Sequence, residues 1–183
     1  MSTATTTDIV HLLEADHHRI ERELGRFDAV SVDERESYFC ELVHLLIGHE
    51  VAEEIVVYPA IRSDAPNGAA ISDARIEEQS EAEEKLNEME KLDVAEAEFS
   101  TQFAELRAAV LTHAQAEERE VFPLLQQGED EEARTTMGAR YEKAKASAPT
   151  HPHPHAPDTP PGNKVLGPVA AVFDKARDAA RGS

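Results

Sequence analysis

The sequence predicts an all-α protein, an up-down-up-down four-helix bundle, on three observations. Hydrophobic residues make up 40% of the 183-residue chain but aromatics only 5%, with no Trp, an aliphatic, charge-coated composition that suits helices better than a β-sandwich. Four long stretches repeat their apolar residues at helical spacing. The connections between them are short, so successive helices should run antiparallel.

The first stretch runs from about Thr7 to Val30, with Val10, Leu13, Ile20, Leu24 and Phe27 on one side. The second, about Val32 to Arg62, opens on a capping box, Ser31-x-x-Glu34, whose side chains satisfy free amides of the first turn. It carries Phe39, Leu42, Leu45, Leu46 and Val56, and the loop from Ser63 to Gly68, with Pro66 and Asn67, stops it. The third, about Ser72 to Leu92, carries Ile76, Ala82, Leu86 and Met89. The fourth, Glu96 to Gln127, carries Phe99, Phe103, Leu106, Val110, Leu111 and Val121, with Gly128 placed to close it. A shorter fifth pattern, Glu129 to Ala146, is polar almost all round.

Proline usage sets the domain boundaries. Seven of the ten prolines fall between Pro149 and Pro168, where neither helix nor strand can be sustained. The expected division is a bundle over 1–146, a Pro/His-rich linker over 147–167 and a short amphipathic helix over 168–183. That last helix presents Val169, Val172 and Phe173, and is short enough to need a docking surface, so it suggests a protein partner.

Eighteen basic against 37 acidic residues give a net charge of −19. Such a surface repels phosphates and anionic lipid, which excludes nucleic acid and membrane surfaces as partners. No apolar run approaches the roughly 20 residues that span a bilayer. The Thr-rich start lacks the features of a signal peptide, and the single Cys40 cannot form an internal disulfide, which together suit a reducing cytoplasm.

The second and fourth stretches are copies of one pattern. His49, Glu53, Tyr58 and Pro59 recur as His113, Glu117, Phe122 and Pro123, each 64 residues later. A weaker echo, offset by 62, relates Asp16, His17, Glu21 and Leu24 to Glu78, Gln79, Glu83 and Leu86. Two hairpins of one pattern pack with pseudo-twofold symmetry, which sets equivalent positions across the core.

His and Glu four residues apart share one helix face, so both side chains can reach one ion. Both pairs also continue the apolar stripe of their helix, and His17 lies on the stripe of the first helix. A carboxylate in an apolar core is costly unless paired or bound to metal. Imidazoles and carboxylates projecting inward from a bundle are the donor set of a dinuclear non-haem iron or manganese site.

On His17, His49-Glu50-Val51-Ala52-Glu53 and His113-Ala114-Gln115-Ala116-Glu117, with EEIVVYP and EEREVFP beside them, the chain resembles the hemerythrin-like HHE cation-binding domains over about residues 8–127. The resemblance implies iron as cofactor, as an oxo- and carboxylate-bridged di-iron centre, with manganese as the alternative metal. Glu53 and Glu117 would bridge, and His17, His49 and His113 would be terminal ligands. The implied ligand is a small diatomic molecule or peroxide: O₂, peroxide or NO, bound or turned over. Peroxide dismutation of a catalase-like kind, ferroxidase activity, sensing of iron or oxygen without turnover, a role in oxidative stress, and a structural bundle with a decayed site all stay open. The family's third-helix His is replaced here by Gln79, a poorer ligand; Glu78, Glu81 or Glu83 could substitute for it.

Other residues read blandly. Glu50 is expected to be a solvated charge, Tyr58 to pack as Phe122 does, and Cys40 to be inert. His18 is expected to face solvent, and His11 and His44 to lie off the ligand layer. His151, His153 and His155 alternate with prolines, as linker composition that can bind Zn, Ni or Cu only loosely.

Overall fold

The computed structural model describes residues 7–153. Most of the expected linker and the whole of the expected terminal helix over 168–183 lie outside the described residues. Among the described residues every regular element is helical.

Asp8 starts α1 (Ile9–Arg26) by accepting the Val10 N–H at 2.9 Å, which satisfies one free amide of the first turn. The expected capping box before the second helix does not form. The Ser31 hydroxyl donates to the Glu34 carboxylate instead of capping an amide, a 3₁₀ turn (Val32–Glu34) intervenes, and α2 (Arg35–Asp64) begins after it. Asn67 then adopts a left-handed φ of 59°, and α3 (Gly68–Met89) starts so close to α2 that a Cβ on Gly68 would collide with the Ile61 carbonyl.

The fourth stretch, expected to be continuous, is divided into α4 (Ala97–Glu120) and α5 (Phe122–Gly128). Pro123 offers no N–H and its ring crowds the preceding turn, so the helix breaks there; its repeat counterpart Pro59 is absorbed inside α2. Gly128 ends α5 without the left-handed conformation expected of a closing glycine. Asp130 caps α6 (Glu131–Ser147), accepting the Ala133 N–H at 2.8 Å.

Helices α1 to α4 surround one core, each packing on the next, with α4 returning to α1. The polar fifth pattern becomes α6, which lies across α1 and α2 and is tied to the start of α1 by Arg134–Asp8 at 2.6 Å. Two apolar blocks fill the bundle. One gathers Leu13, Val56, Ile61, Val121, Phe122 and Tyr141; the other gathers Leu24, Phe39, Leu46, Leu86, Phe99 and Phe103. Each large side chain so buried contributes roughly 1.5–3 kcal/mol. Between the two blocks lies a buried polar layer: His17 on α1, His49 and Glu53 on α2, Gln79 on α3 and Glu117 on α4. The apolar blocks hold that layer in register.

Candidate metal centre

One donor atom from each of His17, His49, Glu53 and Glu117 lies within 4.8 Å of the other three. His17 Nε2 and His113 Nε2 approach the same oxygen, Glu117 Oε2, at 3.3 and 3.4 Å, and His49 Nε2 lies 3.2 Å from Glu53 Oε1. All six residues expected to reach a metal, Gln79 included, are drawn to one layer, with the less buried His113 on its edge.

Each imidazole is oriented by its other nitrogen. His17 Nδ1 lies 3.0 Å from Glu118 Oε1, and His113 Nδ1 lies 2.7 Å from Glu78 Oε2. His49 Nδ1 meets the Tyr141 hydroxyl at 2.6 Å, and that hydroxyl donates to Asp16 Oδ2 at 2.7 Å. Lys145 Nζ donates to the same Asp16 oxygen at 2.6 Å. Each partner is an acceptor towards the ring, so a neutral imidazole carries its proton on Nδ1 and turns the Nε2 lone pair inward. Metal-ligating histidines are held in this way.

The carboxylates are oriented too. Gln79 Nε2 donates to Glu53 Oε2 at 2.8 Å and to the Tyr58 hydroxyl at 2.7 Å, and Tyr58 donates to Glu117 Oε1 at 2.7 Å. One oxygen of each glutamate is thus bonded, and the other is left bare. His17 Nε2, Glu53 Oε1, Gln79 Oε1 and Glu117 Oε2 are all buried with no hydrogen-bond partner. Burying such atoms is costly unless something is to bind them. A cation fits. Donors at the usual bond length of about 2.1 Å sit at most about 4.2 Å apart across an ion, so the cluster would close around one by a contraction on the order of 1 Å. Imidazole and carboxylate without thiolate is a set for iron, manganese or zinc.

The charges are distributed unevenly. Burial, followed by the charges of Glu117 and Glu50, pushes the Glu53 carboxyl well above the usual range. Burial opposes ionisation of Glu117 as well, but the imidazoles of His113, His17 and His49 outweigh it and pull its pKa to about 2. Burial pushes the His49 ring down. For His17 burial acts the same way, yet Glu117 and Glu118 outweigh it and its pKa is raised, so an incoming cation displaces a proton there.

Several expectations change. Glu50 is buried and faces a cavity, and burial, aided by Glu83 and Glu54, pushes its pKa well up; it is not a solvated charge. Tyr58 does not merely pack, since its hydroxyl links Gln79 to Glu117. Of the possible substitutes on α3, Glu78 backs His113 and pairs with Arg75, Glu83 accepts the His153 N–H at 2.6 Å, and Glu81 is exposed on the cavity wall. None joins the four-donor cluster. His18, His11 and His44 are exposed, and so is Cys40. His151 is buried against Glu90 rather than free in a linker. Asp16 and Tyr141 were not expected in this role; the two available signals were an acid directly before His17 and a single Tyr in an otherwise polar helix.

A cavity of about 410 Å³, walled by Ile20, Leu46, Ala82, Leu106 and Val110, leads from the surface to this layer. Its inner end is His17, His49, Gln79 and His113.

A bundle with a buried, pre-oriented His/Glu cluster and an access cavity defines a cation-binding helical domain. Such a cluster, spread over four helices and anchored by a repeated His-x-x-x-Glu, narrows the class further. The chain belongs to the hemerythrin family: the model of the hemerythrin HHE cation-binding domain matches residues 8–136. It is 29% identical over 174 residues to an uncharacterized hemerythrin-like protein of Schizosaccharomyces pombe (strain 972 / ATCC 24843), covering 94% of this chain and 86% of that protein. No solved structure matches the chain. No helix among the described residues is long and apolar enough to cross a membrane.

Proposed function

We propose that the chain is a non-haem dinuclear metal protein, iron in its working form with manganese as the alternative, that binds or turns over O₂, peroxide or NO. The observation that carries this reading is the convergence of donor atoms from His17, His49, Glu53 and Glu117, three of which leave a buried atom without a hydrogen-bond partner, in a layer where every imidazole is already held from behind. His17, His49 and His113 would supply nitrogen donors, and Glu53 and Glu117 would supply and share carboxylate oxygens. When bound, the metal supplies the redox chemistry and an exchangeable position for the small ligand.

The protein's own part is orientation, access and proton placement. The Tyr58 hydroxyl, its oxygen 2.7 Å from Glu117 Oε1, holds a proton ready to follow a change of charge on that carboxylate. The apolar cavity walls admit small neutral molecules and limit water. Glu50, on the same wall and held towards its protonated form by burial, offers a second proton store beside His49. A reducing cytoplasmic setting suits the single exposed Cys40.

Loading the full chain with iron anaerobically, followed by metal analysis, a visible spectrum and addition of peroxide, tests the reading. Bound iron with dioxygen released from peroxide supports turnover. A visible band that forms and reverses on oxygenation without gas release favours a binding or sensing module. A chain equally stable with iron and with chelator, and free of iron after desalting, would overturn the metal reading.

A further inference from the structure

We infer that the two metal positions are unequal, so that an ion held by His17, His49, Glu53 and Glu117 is retained while a second, beside His113 and Gln79, exchanges with solvent. The inference rests on the metal reading above and deepens it.

Donor chemistry separates the positions first. The four-donor cluster brings two carboxylates to one point, enough to neutralise a divalent cation, and its side chains are at most 5% exposed. The edge position has one donor of its own in place, His113 Nε2; Gln79 presents Nε2, not Oε1, 3.4 Å from that nitrogen, and Glu117 Oε2 is shared, lying 3.3 Å from His17 as well as 3.4 Å from His113. A second dication would therefore enter beside the first with no carboxylate of its own. Like charges at such separations repel strongly in a dry interior.

Hydrogen bonding separates them again. A carboxylate bridges two ions most simply with both oxygens. Glu53 Oε2 is engaged by the Gln79 amide and Glu117 Oε1 by Tyr58, which leaves one bare oxygen on each glutamate. To bind a second ion, Gln79 must turn its amide so that Oε1 faces the metal, and the turn removes its donation to Glu53 and to Tyr58. A histidine at this position would offer a lone pair with no such exchange of partners.

The supports differ in the same sense. His49 is backed by the buried Tyr141–Asp16 pair, whereas His113 is 12% exposed and backed by Glu78, itself 41% exposed. The cavity reaches His113 and Gln79 as well as His17 and His49, and Glu78 and Glu81 on its wall favour cation entry. Glu53 and Glu117 do not border it. The second position thus has a path to solvent, weak ligands and an acidic approach, which together define an exchangeable ion.

The test is anaerobic Fe(II) titration of the full chain by calorimetry, with iron counted after desalting, for the wild type and three variants whose folding is checked by circular dichroism. The wild type is expected to retain one iron and to bind a second at least about tenfold more weakly. Gln79→His should tighten the second ion at least about tenfold and retain two. His113→Ala should keep the retained ion and lose the second; His49→Ala should lose the retained ion. Should Gln79→His not fold, the contrast between His113→Ala and His49→Ala decides. Two irons retained by the wild type in one affinity class would overturn the inequality and leave the metal reading standing. So would loss of the retained ion in His113→Ala, or an unchanged second affinity in a folded Gln79→His. No iron bound by any form would overturn both.

Discussion

The pair on α2 and the pair on α4 are one motif in two settings. His49 and Glu53 lie in the dry middle of the bundle; the ring is pushed towards neutrality and the carboxyl well up, so the pair is close to uncharged without metal. Glu117 sits between His17 and His113, and the imidazoles draw its pKa down to about 2. The repeat places the donors; their tertiary neighbours set the charge. Identical spacing on a helix therefore does not give identical chemistry.

The largest test of that contrast compares two isosteric changes in the chelated protein. Glu117→Gln leaves the imidazoles of His17 and His113 without their anion, and is expected to cost about 3 kcal/mol of unfolding free energy, in line with breaking a buried charged pair. Glu53→Gln removes a carboxyl that burial already holds towards its neutral form, and is expected to stay within about 1 kcal/mol of wild type. Urea unfolding with chelator measures both. Equal losses would show the two copies to be electrostatically alike after all.

A second comparison concerns what stands behind the histidines. Tyr141→Phe removes the hydroxyl joining His49 Nδ1 to Asp16 and leaves both buried groups short of a partner, for an expected cost of about 1–3 kcal/mol. Loss of this support should also weaken the retained iron by roughly 10–100-fold. A stability within a few tenths of wild type, with iron held as before, would mean that packing alone orients His49.

Much of this was legible in the sequence because it is written at helical period. The stripes of α1 to α4, the repeat offset of 64 and the inward His/Glu pairs are all local regularities, and the bundle follows from burying them. The family resemblance added the third histidine's partners and the gap at Gln79. What stayed hidden has no period. Tyr141 reaches His49 from a helix polar nearly all round, across 92 residues of chain, and Tyr58 stands where the repeat has Phe122. Glu50 looked like any acid of an acidic helix, and only the packing of α3 and α4 makes it a cavity wall. The capping box failed for the opposite reason: the Ser31 hydroxyl and the Glu34 carboxylate bond to each other rather than to an amide.

The pH dependence of the chelated protein should carry the same signature, on a smaller scale. Glu53 and Glu50 have raised folded pKa values, so their favourable contribution is complete below the ordinary carboxylate range and is lost as pH rises towards those folded values. His17, also raised, acts in the same direction. Asp16 and Glu117 are lowered, so their contribution is present above the ordinary range and is lost as pH falls through it. Stability should therefore peak in mild acid and decline by ~1–2 kcal/mol between about pH 5 and about pH 8. Glu53→Gln, which cannot ionise, should flatten part of that decline. A profile that rises steadily to neutral pH in wild type, with no change in Glu53→Gln, would place the ionised form of Glu53 in the fold.

The smallest effect is expected at the more exposed support. Glu78 lies 2.7 Å from His113 Nδ1, but its side chain is 41% exposed, and a glutamine carbonyl can accept the same N–H. Exposed pairs of this kind contribute little, so Glu78→Gln should cost less than about 0.5 kcal/mol in urea unfolding. It should leave the retained iron in place, since none of the four clustered donors is touched. The second iron should bind a fewfold more weakly, because His113 loses the charge that makes its ring a better donor. If Glu78→Gln instead destabilised the protein as much as Tyr141→Phe, the support of His113 would be as rigid as that of His49, and the difference between the two halves would have to come from Gln79 alone.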